Sequence, residues 1–357
     1  MTTTTQKEIV PASTSDAIAG CLLGAAVGDA VGLPFEGLSP GRIARLRKGP
    51  LQYRFFFGHG MVSDDTDHAI FVTQALMKSK GDIGKFKKSL AWRLRFWLIC
   101  LPAGVGFATL RSIIKLWLGF TNSGIYSAGN GPCMRSAMTG AILSDDASAR
   151  RAHVQVSTLL THTDPKAFTG ALAIAEIAAR LVNQKWQTRP PIDELTAMLN
   201  SLSSDTEWQA AVKGIQKSCL APEPALIAQK YFGGKNGVSG YTMHTVPFTI
   251  IAWYQHFGSY HDTIDAVVNA GGDVDSVAAI AGALAGASTG LSGIPQEWQD
   301  GLMDWPHSRK YLQALACKAH DPEVKAGLHF SFWLFPRNII FLVIVLLHGF
   351  RRLLPPY

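Results

Sequence analysis

The stretch GGDVDSVAAIAGALAGASTG, Gly271 to Gly290, joins a glycine turn, two aspartates and a helical run with glycine at every fourth position: Gly282, Gly286 and Gly290. Its counterpart lies near the start of the chain, where Gly20, Gly24, Gly28 and Gly32 repeat the spacing. Residues four apart share one helix face, so each run is a ridge without side chains against which another backbone can close. The uncharged segment Val277 to Pro295 is long enough to span a bilayer, and such ridges also serve as membrane dimer motifs. Alanine and glycine gain little on transfer to lipid, however, and the segment starts directly behind Asp273 and Asp275. A buried helix of a soluble domain is expected, with the two ridges packed on one another. That packing would carry Asp29 and Glu36, at the end of the first helix, toward Asp273 and Asp275.

Helical periodicity covers most of the chain, and alternation at period two is scarce outside Gln52 to Phe57. Helices are expected over Asp16 to Val31, Asp67 to Ser79, Ile83 to Ile99, Cys133 to Leu143, Ala147 to Leu160, Pro165 to Asn183 and Ile192 to Leu202. Further ones are expected over Trp208 to Gln216, Pro224 to Tyr231, Thr245 to Phe257, Thr263 to Ala270, Ser276 to Thr289, and from Pro295 through Leu302 onward. Glycine turns separate them without a long linker, which favours one all-α domain over residues 16–326. Residues 1–15 are rich in threonine and serine, lack the basic start and apolar run of a secretory signal, and read as a disordered lead.

The 357 residues, 47% apolar and 17% charged, can bury a large core. Five scattered cysteines without a Cys-x-x-Cys pair argue against a disulfide framework or a cysteine-bound zinc, and point to a reducing, cytoplasmic setting. A net charge of +7 raises a nucleic-acid reading. The basic residues, densest at Arg42 to Lys48 and Lys85 to Lys88, come with no aromatic ladder or zinc-finger spacing, so no specific nucleic-acid partner is expected. A solvated face, an anionic ligand or a membrane surface fits them instead.

The C-terminal segment 327–357 differs in kind. FSFWLFPRNIIFLVIVLLHGF, to Phe350, is apolar on all sides, interrupted by Pro336 and Arg337 and followed by Arg351 and Arg352. Both a last docked helix and a membrane-seeking segment through residues 330–350 fit this composition. Deleting everything after Ala326 is expected to leave a soluble, active domain with weaker membrane association.

Candidate chemistry gathers in four patches. Ser63-Asp64-Asp65-Thr66-Asp67-His68 precedes an apolar helical run, and capping explains one such residue, not three carboxylates and two hydroxyls. Carboxylates so close repel unless a cation or a proton lies between them. Asp273-Val274-Asp275-Ser276 repeats this composition at another helix start. All-oxygen ligands of this kind suit magnesium or manganese, and the two clusters hold oxygens enough for two ions; paired capping is the alternative. Ser127-Ala-Gly129-Asn130-Gly131 reads as a turn or as a phosphate-binding loop. Thr161-His162-Thr-Asp164-Pro165 reads as a helix cap preceded by a histidine open to a ligand.

Taken in order, GCLLGAAVGDAVGLPFE (Gly20 to Glu36), Ser63 to Thr66, Gly129 to Arg135, Thr161-His162 and Gly271 to Ser276 resemble the ADP-ribosylglycohydrolase family. The likeness spans about Ala17 to Gly290 and implies a compact orthogonal bundle of helices around a two-magnesium centre, with Mn2+ as a substitute. It further implies a monomer that cleaves the bond between ADP-ribose and a protein side chain or small acceptor. Carried over by position, Ser63, Asp64, Asp65, Asp273, Asp275 and Ser276 would ligate the metal. Asp64 or Asp65 would help activate water, and Glu36 would gate the site. Ser127, Gly129, Asn130 and Gly131 would hold the diphosphate, and His162 would lie near the ribose. Val274 stands where the family commonly has threonine, which would remove a hydrogen bond behind the ligands; Pro132 and Cys133 also depart from the pattern, and the apolar tail has no counterpart in it.

Two rivals remain at this level. An ADP-ribose-binding protein of the same fold without catalysis is one, opposed by retention of every acidic ligand. A helical phosphohydrolase using His261-Asp262 and His162 with a transition metal is the other, and it leaves both acidic clusters without a task.

Overall fold

Steric necessity at the two glycine ridges organises the molecule, whose computed structural model describes residues 13–221 and 231–352. Helix α1 (Thr14–Gly32) lies against α13 (Val274–Thr289) along their whole lengths. A Cβ on Gly20 would fall 2.1 Å from the Gly286 carbonyl oxygen, one on Gly24 2.3 Å from that of Gly282, and one on Gly28 2.1 Å from that of Ala278. Only glycine permits this approach. The membrane reading of Val277 to Pro295 is thereby replaced: residues Val274 to Ala287 are buried inside the domain.

Between these two come α2 (Pro40–Leu46), α3 (Asp64–Ser79), α4 (Ile83–Ile99), α5 (Phe107–Trp117), α6 (Ser136–Ile142), α7 (Ala147–Leu159), α8 (Pro165–Val182), α9 (Ile192–Asn200), α10 (Thr206–Cys219), α11 (Thr242–Gln255) and α12 (Tyr260–Ala270). After α13 follow α14 (Gln296–Gly301), α15 (Arg309–His320) and α16 (Leu334–Arg351). The described residues contain isolated bridges but no strand, so the fold is all-α. One apolar core runs through α1, α3, α4, α8, α11 and α13, with Trp97, Trp208, Trp253 and Trp298 wholly enclosed.

Where expectation and structure differ, the causes are local. Helices α3 and α13 begin at Asp64 and Val274 rather than Asp67 and Ser276, because their polar first turns hide the helical period from an apolar pattern. Asp64, Asp65, Asp275 and Ser276 therefore lie inside the first turns, with Ser63 and Asp273 at the cap positions. The lead gives way to helix at Thr14, capped by the Ser13 side chain; residues 1–12 lie outside the described residues, as does nearly all of the expected helix Pro224 to Tyr231. Helix α5 was not expected: it starts from Gly106 with no side-chain cap to announce it. The expected helix from Cys133 opens as a 3-10 turn, Cys133–Arg135, before α6.

The apolar tail forms α16 and docks on the domain through Leu334, Arg337, Asn338 and Phe341. The Arg337 guanidinium pairs bidentately with Asp304, Nε lying 3.0 Å from Oδ1 and Nη2 meeting Oδ2, and it also donates to the Val62 carbonyl. Asn338 Nδ2 donates to the Cys100 carbonyl at 2.9 Å. None of the five cysteines is paired.

Candidate active site

The two acidic helix starts meet. Ser276 Oγ, in the first turn of α13, donates to Asp65 Oδ2 in the first turn of α3 at 3.2 Å, and Ser63 Oγ donates to the same oxygen at 3.2 Å. Capping accounts for only part of this. Ser63 does cap α3, accepting from the Asp65 amide, whereas the Asp273 carboxylate makes no cap bond at all. Its Oδ2 accepts from Asn130 Nδ2 at 2.6 Å, which aims it across the site.

The glycines ahead of Asp273 fix its approach. Gly271 and Gly272 have φ of +67° and +91°, a region that favours glycine. A Cβ on Gly272 would also lie 2.0 Å from the Val238 carbonyl oxygen. Another residue here would push the whole turn, and Asp273 with it, off the Val238 segment.

Asp29, from the last turn of α1, completes the support. Its Oδ2 accepts from the Ser63 amide (2.8 Å), the Thr66 amide (3.2 Å) and Thr66 Oγ1 (2.6 Å). Burial still raises its pKa to about 6. The site carboxylates follow the same direction: Asp64 and Asp65 are raised well above the ordinary range by burial and then by Asp29 and by Asp64 respectively, and Asp275 by burial and then by Glu36. Asp65 Oδ1 and Asp29 Oδ1 are buried without a hydrogen-bond donor. Such oxygens are costly to leave unpaired, and a cation or a proton is what they lack. Among the described residues no three carboxylate, imidazole or thiolate groups form a ready-made metal cage.

A cavity of about 300 Å3 opens over this cluster. Of the residues expected at the site, Glu36, Asp64, Ser127, Gly129, Asn130, Gly131, His162, Asp273, Asp275 and Ser276 line it. Ser63 and Asp65 are buried and do not line it, Asp65 being joined to it through Ser276. Asp67, though in the same run, turns inward, accepting from Trp97 Nε1 at 2.9 Å and pairing with His307 Nδ1 at 2.8 Å, so it belongs to the core.

Asn130 lines the cavity and also supports its far side: its side chain holds Asp273 and reaches Thr245 Oγ1, and its amide donates to the Gly240 carbonyl. Gly129 and Gly131 are small because of His162, whose ring would lie 3.2 Å and 3.1 Å from a Cβ at either position. The ring is set by a buried chain: His162 Nδ1 to Thr161 Oγ1 at 2.9 Å, Arg135 Nη2 to Thr161 Oγ1 at 2.7 Å, and Arg135 Nη1 to His68 Nδ1 at 3.1 Å. Burial, with Arg135 beside it, lowers the His162 pKa to about 3, so the imidazole is neutral and can position but not protonate a ligand at neutral pH.

Sequence reasoning passed over three contributors. These are Asp29, a mere neighbour of the clusters by sequence, Arg135, one residue of a longer motif, and the wall formed by Gly104, Gly106, Phe107, Ala108 and Thr109, which carries no chemical signature. The signals available were the aspartate at the end of the first glycine ridge and the glycine-rich approach to α5. Val274, expected to weaken the ligand shell, is wholly buried in the apolar core. His261 and Asp262 pair at 3.1 Å on the surface, exposed, with His261 stacked on Trp298; they do not join His162.

A profile of the family described as ADP-ribosylglycohydrolase matches residues 11–327. The ADP-ribosylarginine hydrolase Tri1 of Pseudomonas putida is 28% identical over 87% of this chain and 81% of its own. The ADP-ribosyl-[dinitrogen reductase] glycohydrolase of Rhodospirillum rubrum is 25% identical over 80% of this chain and 90% of its own. A solved structure described as an ADP-ribosylglycohydrolase-related protein complex superposes with a TM-score of 0.66 at 25% identity, covering 86% of this chain and 98% of that one.

Proposed function

The chain belongs to the ADP-ribosylglycohydrolase family, and on that premise we propose that it is a magnesium-dependent hydrolase removing ADP-ribose from a modified protein side chain or a small acceptor. The observation that carries this reading is the contact of Ser276 with Asp65 above a buried carboxylate oxygen that has no donor. Two remote clusters of hard oxygen donors converge under a cavity of ligand size.

The donor set fits magnesium. Ser63, Asp64, Asp65, Asp273, Asp275 and Ser276 would hold two ions, and bound magnesium would offset charge at the sugar oxygens and make a water molecule more acidic. The protein's own groups do the rest. Asn130 keeps the Asp273 carboxylate turned into the site. Asp64, partly buried at the cavity wall, would accept a proton from water attacking the anomeric carbon. Neutral His162 and the small surfaces of Gly129 and Gly131 shape the opposite wall, where the ribose and diphosphate would lie. Glu36, at the rim, would meet the entering acceptor.

The test is a panel of ADP-ribosylated substrates, with arginine, serine and nucleotide acceptors, assayed for release of ADP-ribose with magnesium present. Cleavage of at least one, reduced ~100-fold or more in Asp64→Ala and Asp273→Ala, is expected. Tight binding of ADP-ribose and magnesium with no release from any acceptor would replace the hydrolase with a binding protein.

A further inference from the structure

Helix α16 shows two unlike faces. One is held by the domain; the other presents Ile340, Val343, Leu347 and Phe350 to solvent, each 46–64% exposed. The apolar surface does not stop at the helix. Phe332 packs on Phe96 with ring centroids 5.4 Å apart, and Phe96 packs on Trp92 (5.4 Å) and Trp117 (6.4 Å), so the exposed edges of α4 and α5 continue it. Between α4, the end of α3 and the segment that precedes α16 lies a cavity of about 510 Å3, lined by Trp92, Phe96, Phe330, Lys78, Lys85 and Lys88. Contiguous apolar surface of this extent marks an interaction site.

Its charge is mainly basic, although Asp82 lies 3.8 Å from Lys85 at its edge. From Ile83 to Ser144, and again from Val324 to Tyr357, the chain contains no aspartate or glutamate. The fold brings these two acid-free stretches together: Arg93 donates to the Leu328 carbonyl, and Asn338 to that of Cys100. Lys85 and Lys88 stand exposed at its edge, and Arg111 is exposed on α5. We propose that this face docks on an anionic phospholipid membrane, with α16 lying flat in the interface. A second copy of the chain would set the same basic rim against itself, whereas anionic headgroups complement the rim and acyl chains the apolar centre.

The helix lies flat because both its ends are tied to the domain. Arg337 holds the first turns through Asp304. At the far end Arg352 Nη1 donates to the Glu36 carbonyl at 3.0 Å, and Arg42 Nη2 to the Arg352 carbonyl at 3.0 Å. By length and composition Leu334–Arg351 could cross a bilayer, so it is the two tethers that set the flat orientation. Phe107, 85% exposed and lining the candidate catalytic cavity, and Ala103, packed against the apolar cluster that contains Phe341 of α16, bring that cavity near the docking face.

Vesicle flotation tests this with the full chain and phosphatidylcholine vesicles with or without phosphatidylserine. The chain should float with the anionic vesicles, lose binding as salt rises, and be released by alkaline carbonate. Val343→Glu with Leu347→Glu, and separately Lys85→Glu with Lys88→Glu, should each lower binding ~10-fold or more. All four side chains are exposed and none touches the catalytic cavity. Failure of the intact chain to float, or unchanged binding in both variants, would overturn the proposal; so would a dimer in solution that Val343→Glu with Leu347→Glu dissociates. Resistance to carbonate would overturn the flat geometry. None of these outcomes depends on hydrolysis.

Discussion

Replacing Arg337 with methionine should unfold the protein more readily and slow catalysis together. Arg337 is 2% exposed and Asp304 7% exposed, so the substitution leaves a buried carboxylate without its counter-charge. Breaking a buried pair in this way costs about 3–5 kcal/mol. At roughly 2.1 cal/mol/K of unfolding entropy per residue over the 357 residues, that lowers Tm by about 4–7 °C. The site feels the same change because Asp304 Oδ2 also accepts from the Val62 amide at 3.0 Å, one residue before Ser63, and Arg337 itself holds the Val62 carbonyl. Urea unfolding followed by circular dichroism, beside ADP-ribose release, reads both effects. The double variant Arg337→Met with Asp304→Asn should recover most of the stability, since a neutral pair strands no charge. A single variant within ~1 kcal/mol of the parent, or a double variant no better than the single, would refute the reasoning. Removing residues after Ala326 strips away the same guanidinium, so the shortened chain should be destabilised, contrary to the expectation from sequence.

Asn130→Ala should weaken magnesium binding ~10- to 100-fold by freeing Asp273, measurable by calorimetry; unchanged affinity would mean that Asp273 needs no support. The pH dependence follows from the raised carboxylates. Between about pH 4, the ordinary aspartate range, and the value of about 6 for Asp29, the folded metal-free protein binds more protons than the unfolded chain and so loses stability as pH rises. The rise in Tm on adding magnesium should accordingly be larger above this window than below it, and equal shifts on both sides would contradict the assignment. Gly24→Val should cost about 3 kcal/mol or more by forcing α1 off α13, seen as loss of soluble protein or a lowered urea midpoint; a variant of parental stability would mean that the ridges can separate freely.

Much of this protein could be read from residues alone. The fourfold glycine spacing at Gly20 to Gly32 and at Gly282 to Gly290 specified a close helix pair, because no other residue tolerates a carbonyl 2 Å from its Cβ position. The composition of Ser63 to Asp65 and Asp273 to Ser276 marked the two clusters that the fold brings together, since capping does not call for so many carboxylates. What residue order could not supply was direction. Asp67 and Asp65 differ by two positions, yet one turns to Trp97 and His307 and the other to Ser276, a choice made by the rotation of α3 against its neighbours. Asn130 likewise reads as a turn residue until the fold sets Asp273 beside it. The tail shows the same division: its apolar composition allowed a docked helix or a membrane segment, and the burial of Arg337 against Asp304 fixed which side of α16 faces the protein, because a buried guanidinium is tolerable only where a carboxylate waits for it.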